Sequence, residues 1–179
     1  SLSLTNLKLR ETLRYQSVRD PLTGLFNRRH MEESLTRELA RASRKNSGVG
    51  IIMLDIDHFK AFNDTYGHEI GDALLRALGA LLQNQIRSGD IACRYGGEEF
   101  ILILPEVDIK TAKQRAEHIR EQVKAIEIRH HNDNLGITIS IGISIFPDHG
   151  TEEQILLKKA DDALYQAKHN GRDRVEIAD

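Results

Sequence analysis

The spacing of hydrophobic positions changes along this chain, and each change marks an element. Leu2, Leu4, Leu7, Leu9, Leu13 and Val18 stand among polar residues as far as Arg19. This predicts a helix with one apolar side, ended at Asp20-Pro21 because proline disfavours helical backbone in the residue before it. It is too short for the several heptads of a coiled coil. Asp20 to Leu25 is a turn-rich loop. Asn27-Arg28-Arg29 opens a helix carrying Leu35, Leu39 and Ala42, closed by the polar run Arg44 to Gly48. Val49 to Leu54 is an unbroken apolar run, as in a strand buried on both faces, and it ends in Asp55-Ile56-Asp57. Phe59 and Phe62 mark a short helix before the turn at Tyr66-Gly67. Ile70, Leu74, Leu78, Leu81 and Leu82 predict a long amphipathic helix ending near Gly89.

The second half continues with a hairpin. Its strands are Ile91 to Arg94 and Phe100 to Leu104, and Gly96-Gly97 lies between them. A tight hairpin turn needs positive φ, which glycine adopts without a Cβ clash. Pro105 ends the second strand, and Asp108 caps a helix that buries Ala112, Ala116, Ile119 and Val123. Ile126 to Arg129 reads as a short strand and His130 to Asn134 as a polar loop. From Gly136 to Ile145, isoleucine alternates with small or hydroxyl residues, which predicts a strand with one face in the core. Thr151 and Gln154 form a capping-box pattern opening a helix through Lys168, with Ile155, Ala160, Ala163, Leu164 and Ala167 on its inner side. Gly171 ends it, and Arg174 to Ile177 is a last strand. The fold class is α/β (α+β), with helices around a largely antiparallel sheet.

Composition adds limits. The chain has 179 residues, 40% hydrophobic and 29% charged, which suits one soluble domain. The formal net charge is −2, too acidic for a nucleic-acid groove or a polybasic membrane surface. No apolar run approaches the roughly 20 residues of a membrane span. Cys93, the only cysteine, is a candidate core residue, and the absence of a cysteine pair suits a reducing cytoplasm. The first residue already lies in a helical pattern, as expected of a piece of a longer protein. Residues 1–19 read as a helix arriving from an upstream domain, or equally as an ordinary packing helix, and residues 20–179 as the domain itself.

Two features carry chemistry. Glu98 and Glu99 are adjacent acids opening an apolar strand, where propensity disfavours them. A bare Gly96-Gly97 corner lets phosphates approach the backbone, and adjacent carboxylates can hold a divalent cation beside it. Asp55 ends a buried strand, which is costly unless the carboxylate is paired or bound to metal. Either Asp55 or Asp57 could instead cap the next helix. Asp57 fits that cap better because it directly precedes His58-Phe59, which leaves Asp55 for a metal. If that strand neighbours the hairpin, a strand spacing of about 4.8 Å brings Asp55 and Glu98 close enough to share a cation.

These residues resemble the signature of the GGDEF domains, the bacterial diguanylate cyclases, in a GGEEF form. Arg94-Tyr95-Gly96-Gly97-Glu98-Glu99-Phe100 carries the resemblance first. It extends through Asp20-Pro21-Leu22-Thr23-Gly24-Leu25-Phe26-Asn27-Arg28-Arg29, Asp55-Ile56-Asp57-His58-Phe59-Lys60 and Gly67-His68-Glu69-Ile70-Gly71-Asp72. It closes with Ser140-Ile141-Gly142 and Tyr165 to Arg172. The resemblance implies a nucleotidyl-cyclase, polymerase-palm-like fold. It also implies a nucleotidyltransferase that condenses two GTP into cyclic di-GMP and releases pyrophosphate.

By resemblance, Asp55, the carbonyl of Ile56, Glu98 and Glu99 hold Mg²⁺ or Mn²⁺, two ions per site. Glu98, Glu99 and Lys60 do the catalytic work, with Glu99 a metal ligand or the base for the ribose 3′-OH. Asn63 and Asp72 read guanine, whose adjacent N1–H and N2–H suit a carboxylate. Phe59 offers its backbone N–H, and Lys60, Gly96, Gly97, Lys168 and Arg172 meet the phosphates. Read without the family, Asn63 and Asp72 are solvated helix residues, and Lys168 is a cation suited to a helix C-terminus. One site holds one GTP while the product needs two, so the resemblance implies a homodimer.

Arg87-Ser88-Gly89-Asp90 resembles the family's RxxD product-inhibition site, with Arg115 and His118 on the next helix where an arginine often stands. The implied partners are GTP, cyclic di-GMP, a second copy and an upstream sensory domain, with no nucleic acid and no direct membrane contact. The implied location is the bacterial cytoplasm, as the cytosolic part of a larger sensor. A catalytically inactive receptor of GTP or cyclic di-GMP is the alternative. Intact Glu98 and Glu99 argue against it. An enzyme making an adenine-containing dinucleotide is a second alternative, opposed by Asp72.

Overall fold

The structure is a computed structural model describing residues 2–179. Its helices are α1 (Leu2–Val18), α2 (Arg28–Lys45), α3 (Phe59–Tyr66), α4 (His68–Gln85), α5 (Ile109–Val123) and α6 (Glu153–His169). Its strands are β1 (Phe26–Asn27), β2 (Val49–Ile56), β3 (Ile91–Arg94), β4 (Glu99–Pro105), β5 (Ile128–His130), β6 (Asp133–Leu135), β7 (Ile139–Phe146) and β8 (Val175–Ile177). The main sheet runs β1-β3-β4-β2-β7-β8. β2 lies inside it, antiparallel to β4 and β7, while the two outer pairs, β1 with β3 and β7 with β8, are parallel.

Helices cover both faces of the sheet. Ile52, Leu54, Phe100 and Leu102 pack with Leu74 and Leu78 of α4 and with Ala116 and Ile119 of α5. Ile51, Met53, Ile101 and Ile103 pack with Met31 and Leu35 of α2 and with Leu156 and Leu164 of α6. All eight residues of β2 are buried, as its unbroken apolar run predicts. Each fully buried leucine or isoleucine contributes about 2 kcal/mol. Cys93 is one of these core residues, and burial pushes its thiol up to about 12.

β7 corrects the expectation of a one-sided strand, because all eight of its residues are buried. Its isoleucines fill the α4/α5 side. The small residues between them face α6 rather than water. The Ser144 hydroxyl donates to the Leu156 carbonyl at 2.7 Å, and a Cβ on Gly142 would collide with the backbone of Ala160 and Leu164. The alternation therefore encodes close approach of a helix.

Local signals hold at α2, where Asn27 Oδ1 accepts from His30 N–H, and at α5, where Asp108 accepts from Thr111 N–H. Others fail. α6 begins at Glu153 with no side-chain cap, so the Thr151/Gln154 box does not form. Its buried stripe uses Leu156, while Ile155 is 43% exposed. α4 stops at Gln85, short of Gly89. The His130–Asn134 loop is instead the tip of a small β5–β6 hairpin. α1 buries none of its residues. It joins the domain through Asn27 Nδ2, which donates to the Ser17 carbonyl, and through the Arg19 guanidinium, 3.8 Å from the Phe26 ring centre.

Candidate active site

The acidic residues meet where β2 leaves the sheet. In the β2–β4 ladder Asp55 lies opposite Glu99, and Ile56 N–H donates to the Glu98 carbonyl at 3.4 Å. The strand adjacency expected from sequence is present. Asp55 is 5% exposed and faces the α6 side of the sheet. Lys168, in the last turn of α6, reaches it with Nζ 2.7 Å from Oδ2.

Three carboxyls here are held above their ordinary range. Asp55 is raised by burial, against the opposing pull of Lys168. Glu98 and Glu99 are raised by burial first and then by the charge of Asp55. Neighbouring carboxyls that resist ionisation would be stabilised in their charged form by a cation. Among the described residues, no three His, Cys, Asp or Glu side chains close on one point. The Lys168 ammonium is the cation that meets Asp55.

The hairpin turn differs from the tight turn expected. The connection runs from Tyr95 to Glu98, and the N–H groups of Tyr95 and Gly96 both donate to the Glu99 carbonyl. Gly96 and Gly97 are absent from the glycines with positive φ. What glycine supplies is bareness. A Cβ on Gly97 would meet nothing within 4 Å, and one on Gly96 would press on Glu99 Oε2 at 3.0 Å. Arg94 fixes the turn by donating from Nε and Nη2 to the Gly97 carbonyl and from Nη1 to the Asp20 carboxylate. In the sequence, Arg94 and Asp20 stand only as parts of motifs. Their positioning role joins residues far apart in the chain, so local spacing holds no sign of it.

Asp57 does not cap α3. His58 occupies the cap position in left-handed backbone, with φ of 57° and no side-chain hydrogen bond. Asp57 points the other way. It accepts from the hydroxyls of Thr138 and Ser140 and from Asp173 N–H.

α3 and α4 carry the remaining nucleotide candidates. Phe59 is buried at the start of α3, and Lys60 beside it is exposed. Asn63 lies against Gly71, with its Oδ1 buried and without a hydrogen-bond partner. Asp72 is exposed on the first turns of α4. Arg172 follows α6 with φ of 63°, and its charge favours ionisation of Asp55. The structure thus gathers Asp55, Glu98, Glu99, Lys168 and Arg172 at one edge.

Arg87 and Asp90 lie apart from that edge, after α4. The Asp90 carboxylate accepts from Arg87 N–H at 2.8 Å and from Arg115 Nη2 at 2.6 Å. Arg87 and Arg115 line a groove of about 230 Å³ with Gln85, Gln114, His118 and Ile119.

The family model described as diguanylate cyclase, GGDEF domain matches residues 17–174. The chain belongs to the GGDEF family. This GGDEF domain is 43% identical over 161 residues to the response regulator PleD of Caulobacter vibrioides, covering 89% of this chain and 36% of that protein. It is 39% identical over 168 residues to the diguanylate cyclase DgcP of Pseudomonas aeruginosa, covering 94% of this chain and 25% of that one. It therefore spans about a third or less of each of these relatives.

Among solved structures, the coiled coil and GGDEF domain of DgcB from Caulobacter crescentus, in complex with c-di-GMP, superposes with a TM-score of 0.90. That match is 32% identical and covers 99% of this chain and 94% of that one. The active GGEEF domain of a diguanylate cyclase from Vibrio cholerae matches at 35% identity and a TM-score of 0.81, covering 87% and 98% of the two chains. The sheet and its helices are those of this fold. No helix among the described residues is long and apolar enough to cross a membrane.

Proposed function

We propose that this GGDEF domain is a diguanylate cyclase, condensing two GTP into cyclic di-GMP and two pyrophosphates. In each of two displacements a ribose 3′-oxygen bonds to the α-phosphorus of the other nucleotide. The α–β anhydride bond breaks and pyrophosphate leaves. The observation that carries this reading is the register of the β2–β4 ladder, which sets Asp55 opposite Glu99, with Glu98 next to it beside a bare glycine turn.

Asp55, the Ile56 carbonyl, Glu98 and Glu99 would hold two divalent cations, Mg²⁺ or Mn²⁺. Bound there, such ions would supply neutralisation of triphosphate charge and acidification of the attacking hydroxyl. The protein's own groups do the rest. Glu99 accepts the 3′-OH proton. Lys60, Lys168 and Arg172 hold the phosphates with the N–H groups that open α3, and Gly96 and Gly97 leave room for them. Asn63 and Asp72 bind guanine. The exposed Asp72 carboxylate supports that role, since it is free to accept from the N1–H and N2–H of the base.

The reaction needs two copies facing each other. α1 favours this, because Leu2, Leu9 and Leu13 recur at helical spacing and are more than half exposed. The α1 of a second copy would cover them, and residues 1–19 are read as the helix that joins an upstream sensory domain. The groove at Arg87 and Asp90 suits cyclic di-GMP as a feedback inhibitor, because guanidinium groups grip phosphate bidentately and stack on purines. The domain's place is then the cytosol.

The test is incubation of the 179-residue chain with GTP and Mg²⁺ at high protein concentration, followed by chromatography. Cyclic di-GMP and pyrophosphate in a 1:2 ratio are expected. No product, with retained nucleotide binding, would make the domain a receptor.

A further inference from the structure

Asp57 is the one buried carboxylate near the site that the reading above leaves without a task. It is 7% exposed, on the same side of the β2 end as Asp55. A buried carboxylate is tolerated when its oxygens are fully hydrogen-bonded. Asp57 meets that condition. Oδ1 accepts from Ser140 Oγ at 2.6 Å, while Oδ2 accepts from Thr138 Oγ1 at 2.6 Å and from Asp173 N–H at 3.1 Å.

The two hydroxyls are not what requires a carboxylate. β2 and β7 are already joined by a continuous ladder from Val49 to Ile56. The bond to Asp173 N–H is different, because it reaches a turn outside any ladder.

That turn is unusual. Gly171, Arg172 and Asp173 take φ of 119°, 63° and 45° in succession. Left-handed backbone at two consecutive non-glycine residues is disfavoured and persists only when the surroundings impose it. Three restraints do so here. Arg172 N–H donates to the Ala167 carbonyl at 2.9 Å. Asp57 holds Asp173 N–H from the sheet. Arg120 of α5 and Lys124, the residue after it, hold the two Asp173 carboxylate oxygens at 2.7 and 3.0 Å. Between these anchors stands Arg172, itself exposed and tied by none of these side-chain contacts.

We propose that Asp57 is a positioning residue for triphosphate binding: its carboxylate seats the Arg172–Asp173 turn so that Arg172 faces the phosphates. This rests on the reading of Arg172 as a phosphate-binding residue. Asp55 and Asp57 then divide the work at one strand end. Asp55 meets the tip of Lys168, and Asp57 fixes the backbone that carries Arg172.

The experiment is a double-mutant cycle read by calorimetric binding of 3′-deoxy-GTP, which lacks the attacking hydroxyl, in the presence of Mg²⁺. Arg172→Ala weakens binding about tenfold, the order expected for a lost charge-assisted hydrogen bond. Asp57→Ala weakens it comparably, and the double variant is no weaker than Arg172→Ala alone, because both changes remove one interaction. Asp57→Asn keeps an acceptor for Asp173 N–H and binds within about threefold of the parent.

If Arg172→Ala binds normally, the phosphate role of Arg172 fails and the proposal falls with it. If Arg172→Ala weakens binding but Asp57→Ala adds its full effect on top, Asp57 is merely structural and the proposal alone is overturned. Equal losses in Asp57→Asn and Asp57→Ala would make charge the cause and also overturn it. Should Asp57→Ala fail to fold, Asp57→Ser, which keeps a polar side chain but is too short to hold Asp173 N–H, completes the cycle. With it, non-additivity with Arg172→Ala supports the seat, and additivity or no effect rejects it.

Discussion

Lys168 extends from the last turn of α6 to place its ammonium 2.7 Å from the buried carboxylate of Asp55. The pair is uneven: Asp55 is almost fully buried, whereas the Lys168 side chain keeps 34% of its exposure. The lysine therefore serves two ends. It neutralises Asp55 in the free protein, and under the proposed function it turns outward when a divalent cation takes over that carboxylate.

Lys168→Met should strand Asp55 without a counter-charge. Breaking a fully buried pair costs about 3–5 kcal/mol, and partial exposure of the lysine reduces this to about 1–2 kcal/mol. Thermal melts in chelator should show the loss. Added Mg²⁺ should then raise the melting temperature of the variant more than that of the parent, because the ion no longer competes with the ammonium. Equal Mg²⁺ responses would contradict the competition.

Glu99→Gln should stabilise the metal-free protein near neutral pH. Burial and the charge of Asp55 raise the folded-state pKa of Glu99 above its unfolded value. In that window the native state binds more protons than the unfolded chain, so stability falls as pH rises through it. Glutamine removes the penalty. The melting temperature should rise by about 1–3 °C at pH 7, and the gain should vanish below about pH 4, where the carboxyl is protonated in both states. Turnover of GTP should be lost in the same variant. A stability gain that persists in acid would point to packing instead.

Gly142→Ala should be among the most damaging substitutions in the chain. The added Cβ would run into the backbone of Ala160 and Leu164, which cannot rotate away as a side chain can. Overpacking of this kind costs about 3 kcal/mol or more. The displaced helix carries Lys168, so nucleotide affinity should fall along with stability. Denaturant unfolding and nucleotide titration would check both.

Arg87 and Arg115 should separate binding from stability. Among the described residues, no ion pair involves the exposed Arg87 guanidinium, so Arg87→Ala should change stability by about 0.5 kcal/mol at most. Arg115 partners the Asp90 carboxylate, which is 6% exposed, and Arg115→Ala should cost about 2 kcal/mol. Both variants should bind cyclic di-GMP more weakly and resist inhibition by it. Product inhibition unchanged in Arg87→Ala would remove that groove as the inhibitory site.

The features legible in the chain are those set by residues close in sequence. The β2 strand follows from an unbroken apolar run, the α2 and α5 starts from Asn27 and Asp108, and the β3–β4 hairpin from two apolar runs around Gly96-Gly97. Asp55, Glu98 and Glu99 stood out because acids are costly at the ends of buried strands, and the β2–β4 ladder brings them together. What spacing alone misread was decided across the fold. Ser140, Gly142 and Ser144 looked like a solvent face until α6 packed against them. Asp57 looked like a helix cap until the strand end turned it toward Thr138, Ser140 and Asp173. The partners of Asp55 and Asp57 lie 113 and 116 residues along the chain, at Lys168 and Asp173. Periodicity and capping act over a few residues, whereas the partner of a buried charge is chosen by which helix the sheet brings over it.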